Sequence, residues 1–213
     1  KSQSGRMFDP QCVQALLQKT PAKIRILTKS EKVTEDLKGV DKSDKSRVMV
    51  GLSLGVPEDR EDVAAAVEPN ASKIRERIKA LKLAHDQGFP VYAMFCPCLP
   101  LVADSEAALT RMFRSVRTLS PEGIWLEPVN AKGRGLINTA EALRIAGLKA
   151  EADAVDAIRV KDAWSKYAAD LAVTAAKVAE SLGMLEKLHV LMYAAGLTAG
   201  DLGRVKALGA CVT

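Results

Sequence analysis

Aromatic side chains are scarce in this chain: four Phe, three Tyr and two Trp among 213 residues. Sandwiches of antiparallel strands draw heavily on aromatic and β-branched residues, so the shortage argues against them. Frequent Ala and Leu favour helices packed on parallel strands instead. Cysteine is scarce too, with four scattered along the length. Four so placed make no disulfide scaffold, and a reducing, cytoplasmic compartment is expected. No apolar run is long enough to span a membrane, and no secretory signal opens the sequence. The first residue is Lys1 and not Met, so the chain is expected to be cut or processed at its start. Neither sign of charge dominates. A net charge of +5 is compatible with nucleic acid or another anionic partner, and equally with an ordinary soluble surface.

What is present is enough apolar residue, 48%, for one sizeable core. Residues 8–21 place Pro10 near a helix start, with Val13, Leu16 and Leu17 at helical spacing and Pro21 as the stop. "KIRILTKS" alternates Ile24, Ile26 and Thr28 with Arg25, Leu27 and Lys29, as a strand with a polar tip does. "EKVTEDLKGVDKSDKS" has room for a helical turn or two and a loop. "RVMVGLSLGVP" is an almost wholly apolar second strand, as expected of one covered on both faces. Pro69 interrupts the next helical stretch. Ser72 can cap a new helix, whose stripe of Ile74, Ile78, Leu81, Ala84 and His85 ends at Gly88. "FPVYAMFCPCLP" is the third strand. Asp104 or Ser105 caps a helix with Leu109, Met112, Phe113 and Val116 inside. "IWLEPVN" is the fourth strand, followed by the Gly-rich "AKGRG". Ala-rich helix follows residue 138, then "KLHVLMYAAGL" as a last strand and "TAGDLGRVKAL" as a last short helix.

Alternating helices and strands imply a parallel sheet with right-handed crossovers. The fold class is therefore α/β, a partial (β/α) TIM-like barrel over residues 1–137 with a helical C-terminal extension over 138–213. The strands are too few for a closed eight-strand barrel. Ligands of such folds gather outside the carboxyl ends of the strands. That rule puts Lys29, Ser53, Cys96, Cys98, Glu127 and Asn130 around one mouth.

Each of these has a plain structural reading beside a functional one. Lys29 is a strand-tip cation that can pair with a carboxylate or phosphate. Ser53 lies in an apolar strand and needs a partner, because an unpaired buried hydroxyl costs about 1–3 kcal/mol. Glu68 and Arg77 flank a helix start and suit a helix-end salt bridge. Lys132 and Arg134 suit a solvated turn or a phosphate contact. His85 and His189 belong to no triad-like spacing and read as structural, Trp125 and Trp164 as buried, and Met94, Met112, Met184 and Met192 as core. Cys96 and Cys98 are a single close pair. Structural zinc wants four ligands, and a Cys-x-Cys disulfide is strained, so both read as small residues of core or pocket.

The segments "ILTKS", "VGLSL", "EPNASKIRERIKAL", "FCPCLP" and "WLEPVNAKGRG", in this order and spacing, resemble the radical S-adenosylmethionine proteins, and among them the spore photoproduct lyase-like group. The resemblance covers about residues 8–135 and, more loosely, the helical tail. It implies a partial barrel with a four-iron, four-sulfur cluster at its mouth. Reductive cleavage of S-adenosylmethionine there yields a 5′-deoxyadenosyl radical, which abstracts hydrogen from the substrate. In the lyase that substrate is a cross-linked thymine dimer in DNA, so DNA is an implied partner, as is an electron donor such as flavodoxin or ferredoxin. By resemblance Lys29 holds the cofactor's carboxylate and Ser53 its ribose. Glu68 and Arg77 belong to the cofactor site, Pro97 and Pro100 shape the strand end near the adenine, and Glu127, Asn130 and "AKGRG" lie on the substrate side. The family's cluster is held by a Cys-x3-Cys-x2-Cys run. Cys12, Cys96, Cys98 and Cys211 do not form one, so the cluster's ligands are expected upstream of Lys1. Two other readings remain: a barrel aldolase using Lys29 as a Schiff base, and a truncated chain without activity of its own.

Overall fold

The computed structural model describes residues 10–131, 133–208 and 211–212. Their elements run α1 (Pro10–Lys19), β1 (Ile24–Thr28), α2 (Val33–Asp36), β2 (Val48–Ser53), α3 (Glu61–Val67), α4 (Ile74–Asp86), β3 (Val91–Cys98), α5 (Glu106–Arg117), β4 (Ile124–Pro128), α6 (Gly135–Ile145), α7 (Lys149–Ala157), α8 (Lys161–Ser181), β5 (Leu188–Val190), α9 (Ala199–Lys206) and β6 (Cys211–Val212). The six strands form one sheet in chain order, and every pair is parallel. This is the α/β arrangement of a partial (β/α) barrel. Residues past 138 supply most of α6, the helices α7, α8 and α9, and also β5 and β6, which continue the same sheet. Strand β6 has no counterpart in the sequence reading, since two residues carry no periodicity.

Period-two alternation gives the sheet two unlike faces. Val48, Val50, Leu52, Val91, Ala93, Phe95, Ile124, Leu126, Leu188 and Val190 point to the helices and join the main core. Burying such side chains contributes about 1.5–3 kcal/mol each before entropy is subtracted. The other face carries Arg25, Met49, Gly51, Ser53, Tyr92, Met94, Cys96, Trp125, Glu127 and His189. This inner face is concave. Long side chains reach across it: β1 and β4 lie three strand spacings of about 4.8 Å apart, and the Arg25 guanidinium sits 3.8 Å from the Trp125 ring.

The helices follow local chemistry with two exceptions. Ser105 caps α5 by accepting from Ala108 N at 3.2 Å, and Leu109, Met112, Phe113 and Val116 are buried as expected. Helix α4 is different. Ser72 does not cap it; the Ser72 hydroxyl accepts from Glu31 N instead, and Glu61 of α3 reaches over to accept from Ile74 N at 2.8 Å. His85 leaves the expected stripe and is exposed beside Asp86, whereas Ile74, Leu81 and Ala84 are buried. In α1, Val13 and Leu17 are buried and Leu16 faces outward.

Candidate functional site

The carboxyl ends of β1, β2, β3 and β4 meet at one mouth, and a chain of polar contacts runs across it. Lys29, just past β1, places Nζ 3.1 Å from Glu68 Oε1. Glu68 sits just past α3, and its other oxygen pairs with Arg77 Nη2 at 2.7 Å. Arg77 projects from the first turn of α4 and is 1% exposed. Its remaining donors reach Ser72 O at 2.7 Å and Ser53 O at 3.0 Å. The Ser53 hydroxyl donates to Cys96 O at 2.6 Å, and the Cys96 thiol donates to Glu127 Oε2 at 3.1 Å. Six residues from six segments are thus joined in sequence, two of the links passing through the backbone carbonyls of Ser53 and Cys96.

The burial of Arg77 explains the arrangement. A buried guanidinium must be paired and hydrogen-bonded, and its planar fork serves a carboxylate and two carbonyls at once. It fixes Glu68, and Glu68 faces Lys29. The two loops are tied together as well: Ser72 N donates to Lys29 O at 3.1 Å, and Glu31 N to the Ser72 hydroxyl at 3.0 Å. Between them opens a cleft of about 380 Å³ lined by Lys29, Ser30, Glu68, Pro69, Asn70, Ala71 and Ser72. Lys29 is 39% exposed there and Glu68 14%. The cleft therefore presents an ammonium beside a carboxylate, a pair suited to a ligand that carries both charges.

Cys96 and Cys98 part company. The Cys96–Pro97 peptide is cis, and the register with β4 shifts between Phe95 and Cys98. Cys98 is fully buried in the core, while Cys96 stays at the mouth. Burial pushes the Cys96 thiol up, and the Glu127 carboxylate it donates to pushes it further. Both effects keep it a neutral thiol, neither a thiolate nucleophile nor a ready metal ligand. Among the described residues no group of three or more His, Cys, Asp or Glu is placed to hold a metal ion.

The structure thus brings Lys29, Ser53, Glu68, Arg77 and Glu127 into one network and sets Pro97 beside it, lining a small cavity together with Glu68. Two contacts differ from the expected ones. The Ser53 hydroxyl is buried and spent on a strand carbonyl, and Arg77 lies behind the cleft wall, so neither lines the cleft. Asn130 is half-buried at the loop after β4, Arg134 is exposed, and Lys132 lies outside the described residues. Trp164 is buried, its indole donating to Val129 O at 2.7 Å. Trp125 is only half-buried and stacks on His189. The sequence reading missed Arg25 and Tyr92, although both fall on the alternate positions that share a face with Ser53 and Trp125. No family model, curated protein or solved structure matches this chain.

Proposed function

We propose that the cleft at Lys29 and Glu68 binds the amino-acid end of S-adenosylmethionine, in a radical enzyme resembling spore photoproduct lyase. One observation carries the reading: Lys29 and Glu68, far apart in sequence, present opposite charges 3.1 Å apart in an open cleft. The methionyl group of this cofactor is a zwitterion, with an ammonium and a carboxylate on the same carbon. Lys29 receives its carboxylate, and the free lone pairs of Glu68 receive its ammonium. Arg77 holds Glu68 in place without touching the ligand. Ser53 and Pro97 shape the strand ends beside it, and Glu127 and Asn130 face the substrate. S-Adenosylmethionine with a reducing four-iron, four-sulfur cluster supplies hydrogen abstraction. In this reading the cluster's ligands lie outside the described residues, an electron donor such as flavodoxin or ferredoxin reduces it, and DNA is the substrate.

Equilibrium dialysis of the purified full-length protein with S-adenosylhomocysteine, which keeps the zwitterion, tests the cleft. Saturable binding is expected, weakened about tenfold or more in Lys29→Ala, since a charge-assisted contact is worth about 1.5–3 kcal/mol. Binding that is unchanged in that variant sinks the reading. Anaerobic reconstitution of the full-length gene product with iron and sulfide tests the chemistry: without brown, cluster-like absorption and cofactor cleavage, the radical assignment fails. An aldolase lysine has less support. Such an amine sheds its proton through burial or a neighbouring cation, whereas Lys29 is partly exposed and faces a carboxylate. Borohydride trapping with a carbonyl compound distinguishes the two.

A further inference from the structure

The inner face carries a second group of side chains that the cleft does not use. Arg25 of β1 sits between two rings set nearly at right angles to each other, its guanidinium carbon 4.1 Å from the Tyr92 centroid and 3.8 Å from that of Trp125. Trp125 stacks on His189 of β5, centroids 4.4 Å apart and planes within 8°. Tyr92 is held from the far end, its hydroxyl donating to Ile26 O at 3.1 Å. The ring crosses β2 at Gly51, where any Cβ would lie 2.2 Å from it. The rings are therefore fixed, and they fix the guanidinium.

Among the described residues no carboxylate forms an ion pair with Arg25, whose polar partner on this face is the Tyr92 hydroxyl. Arg25 is nevertheless exposed, with Leu27, 49% exposed, beside it on the same face. The guanidinium is planar and carries its N–H donors along its edge. That edge is a rigid fork matching two oxygens of one phosphate. A concave wall of low polarity strengthens the field of such a charge.

We propose that Arg25 is an oxyanion site of the inner face, holding the phosphate group of a ligand beside Trp125 and His189. The site is separate from the cleft at Lys29, and its success or failure is independent of the cofactor reading. Phosphate is the occupant because it offers two coplanar oxygens and the larger negative charge.

Titrating the protein with inorganic phosphate at constant ionic strength tests this. The ring signals of His189 are followed by nuclear magnetic resonance, with the exposed His85 as internal control. Expected are a saturable shift of His189 in the millimolar range, a higher His189 pKa with phosphate bound, and no change at His85. Arg25→Gln should abolish the shift. Arg25→Lys, which keeps the charge but loses the fork, should weaken binding about tenfold. Circular dichroism checks that both variants fold, and Leu27→Ser, next to the site, should bind as the parent does. No saturation, equal shifts with chloride or acetate, unchanged binding in Arg25→Gln, or full binding in Arg25→Lys would each overturn the proposal.

Discussion

Arg77 is the most demanding residue in the molecule. It is a full charge at 1% exposure, kept there by Glu68 and two carbonyls. Arg77→Met leaves Glu68 without its buried partner, and such a break costs about 3–5 kcal/mol. The urea midpoint should fall accordingly, and Arg77→Lys should not restore it, because an ammonium cannot span the three acceptors. Leu101 is the opposite case. It adopts φ 65° while 58% exposed, so its side chain gains little burial from a left-handed backbone. Leu101→Gly relieves about 1–2 kcal/mol of backbone strain and gives back about 0.4–1 kcal/mol through the unfolded chain. A slightly raised melting temperature is expected. His189 makes the third residue-scale prediction. Burial first, and then the Arg25 charge, lower its pKa below the ordinary 6.5. Above that pH both folded and unfolded chains hold it neutral, and its contribution is complete. As pH falls from 6.5 towards the folded value, the unfolded chain takes the proton first and stability drops. A folded pKa at or above 6.5 by nuclear magnetic resonance would contradict this.

At the scale of elements, Glu61 makes α3 and α4 one unit, because it supplies the cap that α4 lacks locally. Glu61→Ala should cost about 1 kcal/mol, the usual value of a lost N-cap, and should loosen Ile74 in hydrogen exchange before any other residue of α4. This cap also marks the limit of what was legible in the sequence. Ser72 stands where a local rule wants a cap, but its hydroxyl is drawn to Glu31 N across the cleft. Strands β1 to β4 were legible because each is a strand-length segment rich in apolar residues that ends in polar or proline residues. Lys29, Ser53 and Glu127 were legible as mouth residues by the same logic, since strand ends converge in any parallel sheet. The salt bridge of Glu68 with Arg77 was legible too, as a pair flanking a helix start; the second pairing of Glu68, with Lys29, was not, because it depends on how far the loop of residues 68–72 folds back. The Arg25–Trp125 contact was hidden more deeply still. It joins side chains three strands apart in the sheet, and a partner at that distance leaves no mark on a single strand.

At the scale of the whole molecule, the strands differ in support. Strands β2 and β3 are flanked on both sides and anchored by fully buried Val48, Val50, Leu52, Ala93 and Phe95. Strand β5 has three residues and β6 two. Native-state hydrogen exchange should therefore show β5 amides opening at lower free energy than those of β2 and β3. Equal protection across the sheet would mean that α8, packed on β4 and β5, couples the halves fully. The chain-order topology bears on how the protein is made. Every strand lies beside the one synthesised before it, so no strand waits for a partner still inside the ribosome. At about 5–20 residues per second, the sheet can lengthen strand by strand from β1 to β4. It then stands with an open edge for several seconds while the helices α6 to α8 emerge. That interval, after Pro128 and before Leu188, is when a nascent chain has most to gain from a chaperone on the exposed edge of β4.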